Sequence, residues 1–326
     1  MKMRSVLRPF KVPLFNLCYR VLMLGNRSVS IFDRTPYDIE ELRLVHQTIR
    51  SGKLSRTAGK MAARFEIEFA HAFQSGYAVG STSGTSSIHV ALGALNLSPG
   101  DEVITTPITD MGTVIPILGQ NAIPVFADID ETYNIHPDSM AQCISERTRA
   151  VITVHTFGNP CDMDRIMDIC RRHHLPVIED CSQAHMTTYK GRLVGTIGDM
   201  GCFSFHESKH LTTGDGGMTL TSSTEYHDRM RLFVDKGFDR ETRGSSAYYF
   251  HAPNYRMSEL TAAVEDRHDD IRVVNAAADV IIERINYFGS VRDIDAAKAE
   301  ADRLVQWYPD NDQFQRIRTQ VYNWGE

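Results

Sequence analysis

The chain has 326 residues, enough for one large domain or for a large domain with a small one. Its hydrophobic content of 42% and charged content of 23% are ordinary for a globular protein, and its net charge of -6 argues against a nucleic-acid-binding protein. The six cysteines are scattered and include no C-x-x-C pair. This spacing argues against a zinc site and a disulfide framework and suits a reducing compartment, so we expect a cytoplasmic protein.

Residues 1–34 are expected to form a basic N-terminal arm. Six basic residues and no acid precede Asp33. The apolar stretch VPLFNLCYRVLMLG is interrupted by Arg20 and is too short to span a bilayer, and no small-residue cleavage site follows it, as a signal peptide requires. We expect the arm to pack on the domain or on a partner subunit, with contact to a membrane surface as the alternative.

Residues 35–265 are expected to form one large domain. Residues 40–75 predict two helices joined by the loop SGKLSRTAG, and farther along short apolar runs alternate with stretches of helical spacing. The runs that predict buried strands are DEVITT (101–106), IPVFADI (123–129), RAVITVHTF (149–157), LPVIEDC (175–181) and GCFSFH (201–206). The predicted helices are TSSIHVALGALNLSPG (85–100), PDSMAQCISER (137–147) and DMDRIMDICRRHH (162–174). This alternation predicts an α/β fold with a mostly parallel central sheet and helices on both faces.

The C-terminal residues 266–326 are expected to form a short helical segment. One apolar stripe of helical spacing runs from Val274 to Ile285 and is followed by Gly289 as a stop. A second stripe starts at Ile294 and ends before Pro309. Helix packing is sufficient to explain this segment, and residues 240–256 before it predict a loop rich in aromatic and polar groups.

A possible phosphate site follows the start of the large domain. In GSTSGTSSIH (80–89), small and hydroxylic residues lead directly into a predicted helix. The free backbone N–H groups at a helix start, together with hydroxyl groups, suit a phosphate. Taken alone, such a segment is more often only a helix cap.

Three further polar residues, Asp180, Ser204 and Lys209, lie at or just after the ends of predicted parallel strands. Ligands bind at this edge of such sheets. Asp180 ends the run PVIED, and a buried carboxylate is costly without a cationic partner, so a structural ion pair or a protonated pyridine nitrogen would suit it. Ser204 stands between two aromatic residues and could donate to a phosphate, although an ordinary buried serine is the simpler interpretation. Strand alternation places the neighbouring Glu179 on the opposite face from Asp180.

Lys209 follows a strand end and precedes the glycine-rich turn TTGDGG (212–217), which allows backbone to pass close to a ligand. A lone surface lysine is usually a solvated charge, but a lysine in a desolvated site can act as a nucleophile. A phosphate cradle, a carboxylate for a pyridine nitrogen and an imine-forming lysine are the set that pyridoxal phosphate needs. Together they indicate this cofactor more strongly than any one of them does.

From about residue 35 to 265, the chain resembles the DegT/StrS family of pyridoxal-phosphate-dependent sugar aminotransferases, which have the fold-type I scaffold. The resemblance rests on seven segments in the family's order. They are SGT (83–85), GDEVITTP (100–107), PVFADID (124–130), VHTFGNPCDMD (154–164), VIEDCSQAH (177–185), CFSFHESKHLTTGDGGM (202–218) and NYRMSELTAAV (254–264).

The resemblance implies a role for each matched site residue. Lys209 would form the Schiff base with the cofactor and later move a proton, Asp180 would hold the pyridine nitrogen protonated, and Gln183 would lie near the phenolic oxygen of the ring. The residues that would bind the phosphate are Gly84, Thr85 and Ser204, with Asn254 reaching the cofactor of the other subunit of a homodimer. The implied reaction moves an amino group from glutamate or glutamine to a keto-sugar nucleotide.

Two features depart from the family. Its members often carry an aromatic residue that stacks on the cofactor ring where this chain has Asp110, so either Met111 or another side chain would cover the ring, or the cofactor would lie differently. The family's usual small C-terminal domain is not recognisable in residues 266–326, which we expect to be an abbreviated version.

Three alternatives to an active aminotransferase can be compared at the level of sequence, and the sequence disfavours the second and the third. The departures are also compatible with a catalytically degenerate, cofactor-binding or regulatory protein of the same fold. Some relatives dehydrate their substrate with histidine at the lysine position, and Lys209 argues against that reaction. A nicotinamide-dependent dehydrogenase would need a G-x-G-x-x-G segment, and GSTSGTSS spaces its glycines differently.

Overall fold

The computed structural model describes residues 39–240, 247–265, 294–307 and 318–323. The expected N-terminal arm, the stripe from Val274 to Ile285 and the stop at Pro309 lie outside these residues. None of the described helices is both long and apolar enough to cross a membrane.

Nine α-helices and nine strands follow one another in the described residues from 39 to 307, and a short helix lies at 318–322. The helices are α1 (Ile39–Ser51), α2 (Met61–Ala72), α3 (Gly84–Ala94), α4 (Met111–Gly119), α5 (Pro137–Gln142), α6 (Met163–Arg172), α7 (Thr224–Val234), α8 (Glu259–Glu265) and α9 (Ile294–Trp307). The strands are β1 (Tyr77–Ser81), β2 (Glu102–Thr105), β3 (Ile123–Phe126), β4 (Thr148–Val154), β5 (Val177–Asp180), β6 (Thr188–Tyr189), β7 (Arg192–Leu193), β8 (Met200–Ser204) and β9 (Gly217–Thr221).

A seven-stranded sheet forms the centre of the fold, in the order β1-β9-β8-β5-β4-β2-β3. The pairs from β3 across to β8 are all parallel, whereas β9 runs antiparallel to both β8 and β1. The expected α/β fold with a mostly parallel sheet is therefore confirmed. Because β5 pairs with β4 on one side and β8 on the other, its last residue, Asp180, lies in the middle of the sheet.

Apolar side chains cover both faces of the sheet, as the alternation of side chains along each strand requires. On one face, Phe65 and Phe69 of α2 pack against Phe203 and Phe205. The other face carries a second buried cluster, built on α3 and α7 and on residues such as Ile178. This packing buries the sheet on both sides and leaves the strand ends to carry polar groups.

The predicted elements need four corrections. The helix predicted at 85–100 starts at Gly84 and ends at Ala94. The strand predicted at 123–129 is an edge strand rather than a buried one, and Phe126 is 49% exposed because β3 pairs only with β2 among the described strands. The strand predicted to reach residue 157 ends at Val154, because Thr156–Gly158 form a 3-10 turn. The helix predicted at 137–147 ends at Gln142.

Candidate active site

A cavity of about 370 Å³ opens at the carboxyl ends of the parallel strands β4, β5 and β8. It lies where ligands are expected in an α/β sheet. Six of the seven site residues predicted from sequence line it: Gly84, Thr85, Asp180, Gln183, Ser204 and Lys209. Strands far apart in the sequence thus bring these six residues to one place, while their chemical roles stay predictions.

The start of α3 forms one wall of the cavity. A reciprocal pair of hydrogen bonds between Ser83 and Ser86 caps this helix, since each side chain accepts from the backbone N–H of the other residue. Within the described residues, the N–H groups of Gly84 and Thr85 have no hydrogen-bond acceptor. The first turn of α3 contains no acid, so its positive end is available to an anion.

Gly84 is required by the close approach of α3 to the end of β8. A Cβ atom at this position would lie 2.6 Å from Cβ of Ser204 and 3.2 Å from Oγ of Ser182. The missing side chain therefore leaves a small polar recess, with two serine hydroxyls beside the helix start. This recess fits a phosphate group, because hydroxyls and free N–H groups are the donors that phosphate accepts.

Asp180 is only 5% exposed, and two hydrogen bonds hold its carboxylate. Oδ2 accepts from the Thr113 hydroxyl at 2.7 Å, and Oδ1 accepts from the backbone N–H of Ser182 at 3.0 Å. No ion pair joins Asp180 to a cation among the residues that the structure describes, so the expected structural ion pair is not found there. A buried carboxylate in this state suits a cationic ligand group, such as a protonated pyridine nitrogen.

Glu179 points to the opposite face, as strand alternation predicted. Its carboxylate accepts from the N–H groups of Ile197 and Gly198, each at 2.7 Å, and lies 3.0 Å from Nε2 of His155. His155 Nδ1 in turn accepts from the N–H of Cys161. The two adjacent acids therefore differ in role, since Glu179 is saturated by the protein interior and Asp180 faces the cavity.

Lys209 lies on the loop that connects β8 to β9, and its backbone N–H donates to the carbonyl of His206 at 2.9 Å. Lys209 lines the cavity, and it makes no ion pair within the described part of the chain. Burial, reinforced by the positive charges of His210 and Lys209, lowers the pKa of the nearby His185 to about 3. His185 is therefore neutral near pH 7 and adds no charge beside the lysine.

Gln183 is oriented by an unusual turn after β4. Its Oε1 accepts from the backbone N–H of Phe157 at 2.8 Å, and Phe157 has a left-handed backbone with φ of 53°, which is uncommon for a non-glycine residue. Because the amide oxygen is engaged, the amide NH₂ of Gln183 is the group left to donate to a ligand.

Asn254 is the one predicted site residue that does not line the cavity. Asn254 is exposed, and its backbone forms an isolated antiparallel β-bridge with that of Asp235. The carboxylate of Asp235 makes ion pairs with Arg240 and Arg256. A surface position away from its own cavity agrees with a role in a neighbouring copy, and that role stays a prediction.

Asp110 caps α4 instead of presenting a ring to the cavity. Its Oδ1 accepts from the N–H of Gly112 at 2.7 Å. Met111 does not line the cavity, and no phenylalanine, tyrosine or tryptophan does so among the described residues.

Sequence reasoning missed the hydroxyl groups of Thr109, Thr113 and Ser182, which also line the cavity. The signal available for Thr113 was its place in the first turn of a helix that Asp110 could cap.

Comparison with known proteins identifies relatives of this chain. The chain is 41% identical over 234 residues to the spore coat polysaccharide biosynthesis protein SpsC of Bacillus subtilis (strain 168), covering 69% of this chain and 60% of that protein. It is 36% identical over 256 residues to the GDP-perosamine synthase of Escherichia coli O157:H7, covering 76% and 69%. The solved structure of the aminotransferase from Psychrobacter cryohalolentis matches with a TM-score of 0.69 and 34% identity, covering 78% of this chain and 69% of that one.

The chain spans about 60% of the length of SpsC. Its fold is that of fold-type I pyridoxal-phosphate aminotransferases, as the resemblance implied. Residues 37–268 match the DegT/DnrJ/EryC1/StrS aminotransferase family. This match and the identity to named relatives show that the chain belongs to the DegT/DnrJ/EryC1/StrS aminotransferase family.

Proposed function

We propose that this protein is a pyridoxal-phosphate-dependent aminotransferase that moves an amino group from glutamate or glutamine to a keto-sugar nucleotide. The observation that supports it most is the shared cavity of Lys209 and Asp180, with the free start of α3 on the same wall. A lone amine, a buried carboxylate and an anion-binding recess are complementary to the aldehyde, the ring nitrogen and the phosphate of this cofactor.

The bound cofactor supplies an aldehyde for covalent attachment and a ring that accepts electrons when a proton leaves the substrate. Lys209 is the residue assigned to hold that aldehyde and to carry the proton on Nζ, because it is the lysine in the cavity and no acid of the described chain pairs with it. Asp180 keeps the ring nitrogen protonated through its buried carboxylate.

The phosphate is assigned to the recess beside α3. The N–H groups of Gly84 and Thr85 and the hydroxyl of Ser204 are the donors there. The amide NH₂ of Gln183 is assigned to the phenolic oxygen of the ring, since the turn at Phe157 occupies its amide oxygen.

The substrate class is supported by the named relatives. The name of the enzyme from Escherichia coli O157:H7 gives a nucleotide-linked amino sugar, and SpsC is named for polysaccharide biosynthesis. A keto-sugar nucleotide as acceptor agrees with both names. The cytoplasm is the compartment we propose.

We also propose that the active unit is a homodimer in which Asn254 serves the neighbouring site. The outer face of α4 exposes an apolar stripe of Met111, Ile115 and Leu118, each more than half exposed. The stripe begins next to Asp110 and Gly112, which line the cavity, so a second copy covering it would approach the cavity mouth. Solvent-exposed apolar stripes of this kind mark association surfaces.

A catalytically degenerate cofactor-binding protein is the second candidate. The observation that favours it is Asp110, which stands where a stacking aromatic is common in the family and which caps α4 instead. Such a protein would bind the cofactor and transfer no amino group.

The test is spectroscopy of the purified protein reconstituted with pyridoxal phosphate. The proposal predicts a visible absorption band that glutamate or glutamine removes and that a keto-sugar nucleotide from a panel restores. Lys209→Ala is the control and should lack the band. A wild type that shows no band contradicts the proposal, and a band that no donor or acceptor changes favours the degenerate protein.

A further inference from the structure

Two threonine hydroxyls form a hydrogen-bonded chain that ends on Asp180. Oγ1 of Thr113 lies 2.7 Å from Oδ2 of Asp180, and Oγ1 of Thr109 lies 2.6 Å from Oγ1 of Thr113. Thr113 is 1% exposed, so its hydroxyl is shielded from bulk water. The two hydrogen bonds thus connect Thr109 to the buried carboxylate of Asp180.

The direction of the two hydrogen bonds is set by donor and acceptor chemistry. An ionised carboxylate only accepts, and each threonine hydroxyl has a single proton. The proton of Thr113 is therefore directed to Asp180, which makes Thr113 the acceptor for Thr109. Each hydroxyl is oriented by the next, and the negative charge of Asp180 fixes the whole chain.

Helix α4 determines where Thr113 stands. Asp110 caps the helix, and the N–H of Thr113 donates to the Asp110 carbonyl at 3.0 Å. On the other side, the N–H of Ser182 holds Oδ1 of Asp180. The two carboxylate oxygens are thus bound from two different elements, α4 and the turn after β5, which leaves little freedom for rotation of the carboxylate plane.

We propose that Thr113 is a positioning residue that sets the plane of the Asp180 carboxylate for the ring nitrogen of the cofactor, with Thr109 supporting it. This inference rests on the proposed function and deepens it, because neither threonine was among the residues assigned to touch the cofactor. Through these two hydrogen bonds, α4 would orient Asp180, and this function does not need an aromatic side chain at position 110.

The test compares cofactor affinity among isosteric variants. Thr113→Val deletes the hydroxyl and keeps the shape, and loss of a hydrogen bond to a charged group is expected to weaken cofactor binding about 10-fold or more. Thr113→Ser restores the hydroxyl and should bind within about 3-fold of the wild type. The cofactor affinity of Thr109→Val should lie between those of Thr113→Val and Thr113→Ser, because Thr113 can still donate to Asp180.

Thr105→Val is the matched control. Thr105 lies at the end of β2, is equally buried, and its hydroxyl has no hydrogen-bond partner in the described structure. Its removal should leave cofactor affinity unchanged. Dissociation constants come from absorbance titration, and the position of the absorption band is read in the same titration, since it responds to the ring nitrogen.

The outcomes separate the two proposals. A Thr113→Val protein that binds the cofactor as tightly as the wild type, or a Thr113→Ser protein as weak as Thr113→Val, overturns this inference while the proposed function stands. A wild type that binds no cofactor overturns both. If Thr113→Val does not fold, the milder Thr109→Val variant tests the inference instead. Wild-type cofactor affinity and an unshifted absorption band in Thr109→Val would then contradict the role of the two threonine hydroxyls.

Discussion

Asp180 and Lys209 line one cavity, although the first ends strand β5 and the second lies on the loop after β8. Parallel pairing of β5 with β8 aligns these two strand ends, with Asp180 opposite Cys202 in the register. An acid at the end of one strand and an amine on the loop after its neighbour therefore lie at the same cavity. The following predictions depend on that relationship and on the surroundings that hold it.

The Asp180→Asn variant separates charge from shape. Asparagine keeps the size of the side chain and removes the negative charge that a protonated ring nitrogen needs. We expect cofactor binding to weaken by at least about 10-fold, with little change in unfolding temperature. Absorbance titration with pyridoxal phosphate measures the first quantity and thermal unfolding the second. Unchanged affinity would show that Asp180 does not contact the cofactor.

Glu179→Gln is expected to lower the stability of the fold, in contrast to Asp180→Asn, which is expected to lower cofactor affinity. The glutamine oxygen can still accept from Ile197 and Gly198, but its NH₂ then faces the Nε2–H of His155, whose Nδ1 is occupied by the N–H of Cys161. Two donors facing each other in the core should lower the free energy of unfolding by about 1–3 kcal/mol. Equilibrium urea unfolding of the cofactor-free protein measures it, with the exposed Glu207→Gln as control. Equal stability of the two variants would contradict the hydrogen-bond assignment.

Gly84→Ala tests the recess at the start of α3. The added methyl group would lie 2.6 Å from Cβ of Ser204 and would push the strand end away from the helix. We expect loss of most of the affinity for pyridoxal phosphate and a smaller loss for pyridoxal, which has no phosphate. Gly80→Ala is the control, because its nearest contacts are at an ordinary 3.4 Å. A Gly84→Ala protein that loses affinity equally for both compounds would place the phosphate elsewhere.

The stability of the cofactor-free protein should fall in acid through His185. Burial is the main cause of its lowered pKa of about 3, against an ordinary value of 6.5. Between these values the unfolded chain binds a proton that the folded chain does not, so the free energy of unfolding decreases as the pH falls below about 6.5. His185→Gln should flatten this dependence between about pH 4 and pH 6.5. Parallel slopes for the two proteins in urea unfolding would refute the assignment.

Mixed dimers test the proposed role of Asn254. In the proposed dimer, an intact site needs Lys209 from one subunit and Asn254 from the other. Homodimers of Lys209→Ala or of Asn254→Ala therefore contain no intact site. Mixing the two under conditions of subunit exchange should restore about a quarter of the wild-type sites, because half of the dimers are mixed and one of their two sites is intact. The visible absorption band measures the restored sites when it is read at a cofactor concentration that saturates the wild type and leaves Asn254→Ala unloaded. No recovery in samples that demonstrably exchange subunits would place Asn254 outside the neighbouring site.

Much of this site was predictable from sequence because its chemistry is local. Hydrophobic runs identified β4, β5 and β8, and predicted polar residues at the ends of β5 and β8 or soon after them line one cavity. The face of Glu179 followed from the period of two along a strand. The exposure of β3 was not predictable, since an edge strand and a central strand can have the same apolar composition.

The parts that sequence reasoning missed depend on tertiary contacts. The bond from Thr113 to Asp180 joins residues 67 positions apart, and nothing in either segment indicates the other. The left-handed turn at Phe157 that holds Gln183 is likewise visible only in the structure. Asp110 departed from the family pattern, and its role as a helix cap became clear only when α4 was placed.

The central claim is that Lys209 holds the cofactor covalently in the cavity that contains Asp180. Reduction of the reconstituted wild-type protein with borohydride, followed by peptide mass mapping, tests it directly. The account predicts a single stable cofactor adduct on Lys209, and none on Lys209→Ala treated in the same way. An adduct on another lysine, or no adduct in a folded wild-type protein saturated with pyridoxal phosphate, would contradict it.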